Sequence, residues 1–354
     1  MKKKIFSLLI IISLCSACGD DDTGINNEKQ DIVLKTVSFD TDQNSTLMFQ
    51  DDQALEVMTS EALVYSMGQV IRVKPIDEKT IEVSNFAPID IEDATIVATI
   101  GGNVPVQLFK IKKIRAHATQ TIKYPFVDGT TQFLDTNNKE VDLSQYKTTG
   151  VAVDNISFDF TGDNKTILML KKLKSLKWTI KYHNYDPTND PNNNWMPTTA
   201  KDIRRFSGLM LNMGIVFVSD EFKQAFLNET IIGNDGVTAL TMAEKEKVYN
   251  DILNHPRFNC GKVDKVSGLG LGPTIGYAEH ILHDYIKIDA GDITAHEIGH
   301  CIGFNHESNM TYPKTINSVS TGFSPVMTRL NKVFFKEGLF IVTPQNYYKP
   351  ADFQ

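Results

Sequence analysis

The run His296-Glu297-Ile298-Gly299-His300-Cys301-Ile302-Gly303-Phe304-Asn305-His306 holds three of the chain's eight histidines within eleven residues, and the sequence on either side is read from it. His296 and His300 are four apart, so on a helix they lie one above the other and present two imidazole nitrogens to one metal ion. Asp292 is expected to cap that helix, with Ala295, Ile298, Gly299 and Ile302 as its buried stripe. Gly303 suits the left-handed residue that ends a helix and turns the chain back, which brings His306 toward the pair. Three neutral histidines at ~2.0–2.1 Å leave the fourth tetrahedral position of a zinc ion open to water. Glu297 stands beside the ligands without being needed as one, so it is the candidate general base. Bound zinc lowers the pKa of water to ~7, and the carboxylate completes a nucleophile able to attack a polarised peptide carbonyl.

The eleven residues match the metzincin pattern H-E-x-x-H-x-x-G-x-x-H, and His-Glu-Ile-Gly-His-Cys-Ile-Gly-Phe resembles the dual-action HEIGH metallopeptidases of bacteria. That resemblance implies a zinc endopeptidase with one catalytic ion, a substrate cleft, an upper sheet whose edge strand pairs with extended peptide, and a methionine turn beneath the metal. It is close over about fifteen residues, diffuse from Lys177 to Arg329, and does not reach the first half. On the family's pattern Ser324-Pro325-Val326-Met327 is the preferred turn, with Met327 as the apolar floor. Met310 is the rival, set aside because it stands only four positions after His306, and core filler is the alternative role for either methionine. Some family members carry a tyrosine two residues after that methionine; after Met327 the position is Arg329, which leaves a tyrosine-assisted step without its residue. His280, His283, His117, His183 and His255 are read as surface or turn residues. Gly268-Leu269-Gly270-Leu271-Gly272-Pro273 lacks the Lys-Ser/Thr of a phosphate loop and is read as a flexible loop near the cleft.

Upstream, residues 31–174 show short β-like segments between turn signals, among them Ile32-Val33-Leu34, Val70–Val73, Thr80–Val83, Ala94–Val97, Val106–Phe109 and Thr121–Tyr124. This favours an all-β sandwich, immunoglobulin-like over Ile81 to Phe126. Residues 175–354 read as an α+β, metzincin-like protease domain, opening on Trp178–Tyr182, passing a Pro/Asn-rich loop, and reaching a helix after the capping box Thr241-Met242-Ala243-Glu244 that stops at His255-Pro256. The expectation is thus a multidomain chain.

Lys2-Lys3-Lys4, an apolar stretch from Ile5 to Leu14 and Cys15-Ser16-Ala17-Cys18 have the layout of an export signal over residues 1–17. The junction resembles a bacterial lipobox in which Cys18 is lipidated, and an ordinary cleaved signal is the alternative. Gly19-Asp20-Asp21-Asp22 resembles the acidic export tag of Bacteroidetes surface lipoproteins, which implies a place on the bacterial outer membrane with residues 18–30 as a tether; a solvated acidic spacer is the alternative. In that oxidising compartment Cys260 and Cys301 are either a disulfide or two buried thiols. Loss of the three leader lysines takes the net charge from −7 to −10, which disfavours nucleic acid as a partner. The expected partners are a protein or peptide substrate, and the membrane only through the lipid, with the protein itself a monomer. Two rival readings are a non-catalytic surface binding protein or adhesin on a protease scaffold, and a zinc hydrolase of cell-wall crosslinks.

Overall fold

Residues 91–100 and 106–114 form two long antiparallel strands with most of their apolar side chains buried, and this pairing organises the first half of the protein. The computed structural model describes residues 32–183, 194–286 and 290–354. The export signal, Cys18, the acidic tether and most of the Pro/Asn-rich loop lie outside the described residues. The strands of the first half are β1 (Thr36–Phe39), β2 (Thr46–Leu47), β3 (Val64–Ser66), β4 (Ile71–Pro75), β5 (Thr80–Asn85), β6 (Ile91–Ile100), β7 (Val106–Ile114), β8 (Ala118–Lys123), β9 (Gln132–Asp135), β10 (Glu140–Asp142) and β11 (Ile156–Thr161). They form a sheet ordered β10-β9-β7-β6-β11, with β1 added parallel to β7, and a second sheet ordered β2-β8-β5-β4. The strand signals named from sequence fall on β4 to β8, except that Ile32-Val33-Leu34 precedes β1 as unpaired chain. Gly101 and Gly102, at φ 60° and 73°, make the β6–β7 turn that residues with a Cβ resist.

The second half contributes β12 (Thr179–Tyr182), β13 (Trp195–Met196), β14 (Arg257–Val263), β15 (Gly268–Leu271), β16 (Thr274–Ala278), and a hairpin of β17 (Lys314–Ile316) and β18 (Val319–Thr321). Its helices follow α1 (Lys165–Lys172) and are α2 (Ala200–Phe217), α3 (Asp220–Asn228), α4 (Met242–Leu253), α5 (Glu279–Asp284), α6 (Gly291–Cys301) and α7 (Phe323–Lys336). The described residues are therefore a mixed α/β arrangement of four sheets and seven helices. The capping box closes as expected: Thr241 Oγ1 accepts from the Glu244 amide at 3.3 Å, and Glu244 Oε2 accepts from the Thr241 amide at 2.8 Å. Among the described residues no helix is long and apolar enough to cross a membrane.

The sheet that carries the second half runs β15-β16-β14-β12-β3. Its far edge, β3, comes from the first half and pairs antiparallel with β12. At residues 174/175, where the sequence suggested a boundary, the chain passes through a short 3-10 turn into β12, and Leu34–Gln354 is one compact unit. A buried ionic cluster crosses the same line. Arg204 on α2 donates two hydrogen bonds of 2.7 Å to the Asp352 carboxylate and one of 2.8 Å to the Asp51 carbonyl. Arg205 bonds the Asp352 carbonyl and, at 2.6 Å, Glu279, while the Tyr347 hydroxyl donates to Asp352 at 2.7 Å. Every residue of α2 except Lys201 is buried, so these guanidinium groups have only such partners to replace water.

His117 is buried at φ 44°, against Phe49 and near Tyr348, and neither ring nitrogen has a hydrogen-bond partner among the described residues. It is therefore not the surface residue expected from sequence. Burial, with a smaller push from the Arg204 charge, lowers its pKa from 6.5 to about 3.

Two outcomes follow from these buried groups. Asp352→Ala leaves Arg204 buried without its carboxylate and is expected to cost about 3–5 kcal/mol in urea unfolding, whereas cutting the exposed Lys247–Asp251 pair by Lys247→Ala changes stability by less than about 1 kcal/mol. Because His117 binds its proton more weakly folded than unfolded, its contribution is present above pH 6.5 and lost as pH falls toward 3. The slope from this one group approaches about 1.4 kcal/mol per pH unit. Unfolding measured between those pH values in His117→Asn, whose side chain tolerates positive φ and does not titrate there, should show a flatter fall.

Candidate metal centre

Two imidazoles can share an ion only if each keeps a bare nitrogen aimed at the same point, and the backbone around α6 imposes this. His296 Nδ1 lies 3.0 Å from the Thr311 carbonyl and His300 Nδ1 lies 2.8 Å from the Phe304 carbonyl. A carbonyl only accepts, so both Nδ1 atoms carry the proton and both Nε2 lone pairs are free. Burial lowers the pKa of both rings, which favours this neutral form. The two Nε2 atoms stand 3.1 Å apart. Two lone pairs at that distance repel unless a cation lies between them, and the spacing is close to the ~3.3 Å edge expected of a tetrahedron with bonds of ~2.0–2.1 Å.

His306 completes the group through the reversal at Gly303. The Gly303 amide donates to the His300 carbonyl at 3.0 Å and the Phe304 amide to the Gly299 carbonyl at 2.9 Å, with Gly303 at φ 94°. This is the two-bond helix stop that glycine favours. Asn234 then braces the returning chain: its Oδ1 accepts from the Asn305 amide at 2.9 Å and its Nδ2 donates to the Gly303 carbonyl at 3.0 Å. The exposed His306 ring lies 4.7 Å from that of His300, and one ligand nitrogen from each of the three histidines falls within 4.8 Å of the others. Among the described residues this is the group able to hold a metal ion, and its donors suit one. Asp292 is not the helix cap; Ala290 takes that place, and Asp292 sits in the first turn, accepting from the Ile293 amide at 2.7 Å.

The methionine expectation requires correction. Met327 lies within α7, buried against the rest of the core, and makes no turn. The turn that packs against α6 is Ser308–Tyr312, with Met310 fully buried. A Cβ on Gly299 would sit 2.4 Å from the Met310 carbonyl oxygen, so helix and turn meet backbone to backbone. Three intervening residues suffice because the chain folds on itself: the Thr311 hydroxyl shares its proton between the Asn305 carbonyl at 2.8 Å and that of Ser308 at 2.9 Å. Tyr312 stands two residues after Met310. The Tyr312 ring lies 4.5 Å from His296 and 4.9 Å from His306 and borders the cleft, whereas Arg329 faces Glu229 from the exposed side of α7.

Glu297 is buried beside the histidines, and loss of water around its carboxylate raises its pKa to about 8 in the metal-free protein. The cleft has a volume of about 590 Å³ and is bordered by Val266, Leu269, Ile293, Tyr312 and Pro313. The Gly-rich run on its rim is the edge strand β15 rather than a flexible loop. Cys260 and Cys301 are both free thiols, buried on β14 and α6; their sulfurs lie 3.8 Å from the Phe258 carbonyl and 3.4 Å from the Thr274 carbonyl. Burial raises both thiol pKa values, that of Cys301 to about 12.

Gly303→Ala meets no neighbour, so its cost is conformational, about 1 kcal/mol of stability. Because it misdirects His306, zinc affinity measured by competition with a chromogenic chelator should fall about tenfold or more. The chain matches no family model, no curated protein and no solved structure, so the functional reading rests on this geometry.

Proposed function

We propose that the protein is a zinc-dependent endopeptidase. The observation that carries this reading is the three-histidine group with Glu297 buried beside it, on the rim of a cleft. His296, His300 and His306 would hold one zinc ion, which when bound polarises the scissile carbonyl and acidifies water. Glu297 takes a proton from the attacking water as the oxygen–carbon bond forms. It returns the proton to the amine nitrogen as the carbon–nitrogen bond breaks. The Tyr312 phenol, beside two of the ligands, donates to the carbonyl oxygen as negative charge develops there. Among the described residues β15 pairs on one side, with β16, and it offers the backbone groups of its other side to an extended peptide.

In this reading the second half is a metzincin-like catalytic module and the two-sheet first half an immunoglobulin-like accessory module. Every described residue that lines the cleft lies between Asn194 and Ser324, which supports a site accessible to substrate rather than capped by the first half. The sequence features of residues 1–30 support export and a Cys18 lipid anchor on the bacterial surface, with a monomeric protein acting on protein or peptide and not on nucleic acid. The intact, buried Glu297 weighs against the adhesin reading, because a scaffold without turnover has no use for an acid there. The functional test is Glu297→Gln: zinc content should match wild type while cleavage of an unstructured protein such as casein falls by about 10²–10⁴-fold. Activity near wild type would overturn the assigned role.

A further inference from the structure

Gly268 and Gly270 are two residues apart on β15, so both turn the same face of the strand toward α6. What each faces is different. A Cβ on Gly268 would lie 2.3 Å from Glu297 Oε1, 2.7 Å from Cδ and 2.8 Å from Cγ. A Cβ on Gly270 would lie 2.2 Å from the carbonyl oxygen of Glu297 and 2.9 Å from its Cα. At both positions the strand meets the same residue of the helix, one glycine leaving room for its carboxylate and the other for its backbone. The register is held from behind. Gly268 pairs with Tyr277 and Gly270 with Ile275 on β16, and the Tyr277 hydroxyl donates to Thr294 Oγ1 on α6 at 3.2 Å.

We propose that Gly268 and Gly270 are positioning residues for Glu297: Gly268 sets where its carboxylate lies, and Gly270 sets how closely the strand covers the helix. This rests on the reading of Glu297 as the general base. The two positions separate physically, because a clash with the end of a side chain is relieved by rotating that side chain, whereas a clash with a helix backbone is relieved only by moving the strand. Alanine at 268 drives the carboxylate from its place and leaves the fold. Alanine at 270 lifts β15 from α6.

The experiment is a double-mutant cycle with Gly268→Ala and Gly270→Ala, each in the wild-type and Glu297→Ala backgrounds. Thermal unfolding is measured on the metal-free protein, and zinc content, kcat and KM on the loaded protein with a casein-derived fluorogenic peptide. Gly268→Ala should retain zinc and lower kcat about 10²-fold with KM within about twofold. Its effect on the metal-free Tm should shrink by at least half in the Glu297→Ala background. Gly270→Ala should lower Tm by the same amount in both backgrounds. Wild-type kcat in Gly268→Ala, or an equal Tm loss from it in both backgrounds, would overturn the proposal. If wild type binds zinc and cleaves no peptide, the peptidase reading fails, and the metal-free cycle still decides whether the two glycines position Glu297.

Discussion

Backbone held close against α6 from two sides is the constraint on which the centre depends. On one side β15 rests on Glu297 through Gly268 and Gly270; on the other the Met310 turn touches the helix at Gly299. At each place a Cβ would fall within 2.4 Å of a heavy atom, so glycine is required for room rather than for unusual dihedral angles. The close packing brings the Thr311 carbonyl to Nδ1 of His296 and, together with the Gly303 reversal that brings the Phe304 carbonyl to Nδ1 of His300, selects which nitrogens remain bare. It also withdraws the carboxylate of Glu297 from water, which is why its pKa rises in the absence of metal. A cation among the three histidines would act in the opposite direction on the same carboxylate.

The close packing is supported from a distance by the joining of the two halves. The sheet behind α6 ends in β3, a strand of the first half, and α2 runs buried between that sheet and the helices around it. Arg204 and Arg205 on α2 bind Asp352 near the C-terminus, and Arg204 also reaches the Asp51 carbonyl. Buried charges of this kind add little net stability when satisfied and cost much when one partner is lost. Their effect is to couple chain segments around residues 51, 204 and 352, so the first half behaves as part of the scaffold of the centre.

Much of the centre was legible in the sequence because its chemistry is local. Four-residue spacing, a glycine that permits helix reversal and a histidine three positions later suffice to bring His296, His300 and His306 together. The short strands of the first half and the capped helix α4 were readable for the same reason, since alternation and capping boxes act over a few residues. Features set by packing at a distance were not legible. Met310 looked too near His306 because the hydrogen bonds of Thr311 that tighten the turn appear only in three dimensions. The run from Gly268 looked like a loop because glycines that serve a helix 29 residues away resemble glycines that serve flexibility. The pairing of β3 with β12 joins residues more than a hundred positions apart, and no periodicity encodes it.

The central claim is that the three histidines hold one catalytic zinc ion, and its most direct test is the zinc content of the purified chain, measured together with its cleavage of casein before and after chelation. The account predicts one zinc per chain, cleavage that stops when the metal is removed, and recovery when zinc is restored. A chain that binds no zinc, or that cleaves equally well without it, would contradict the account.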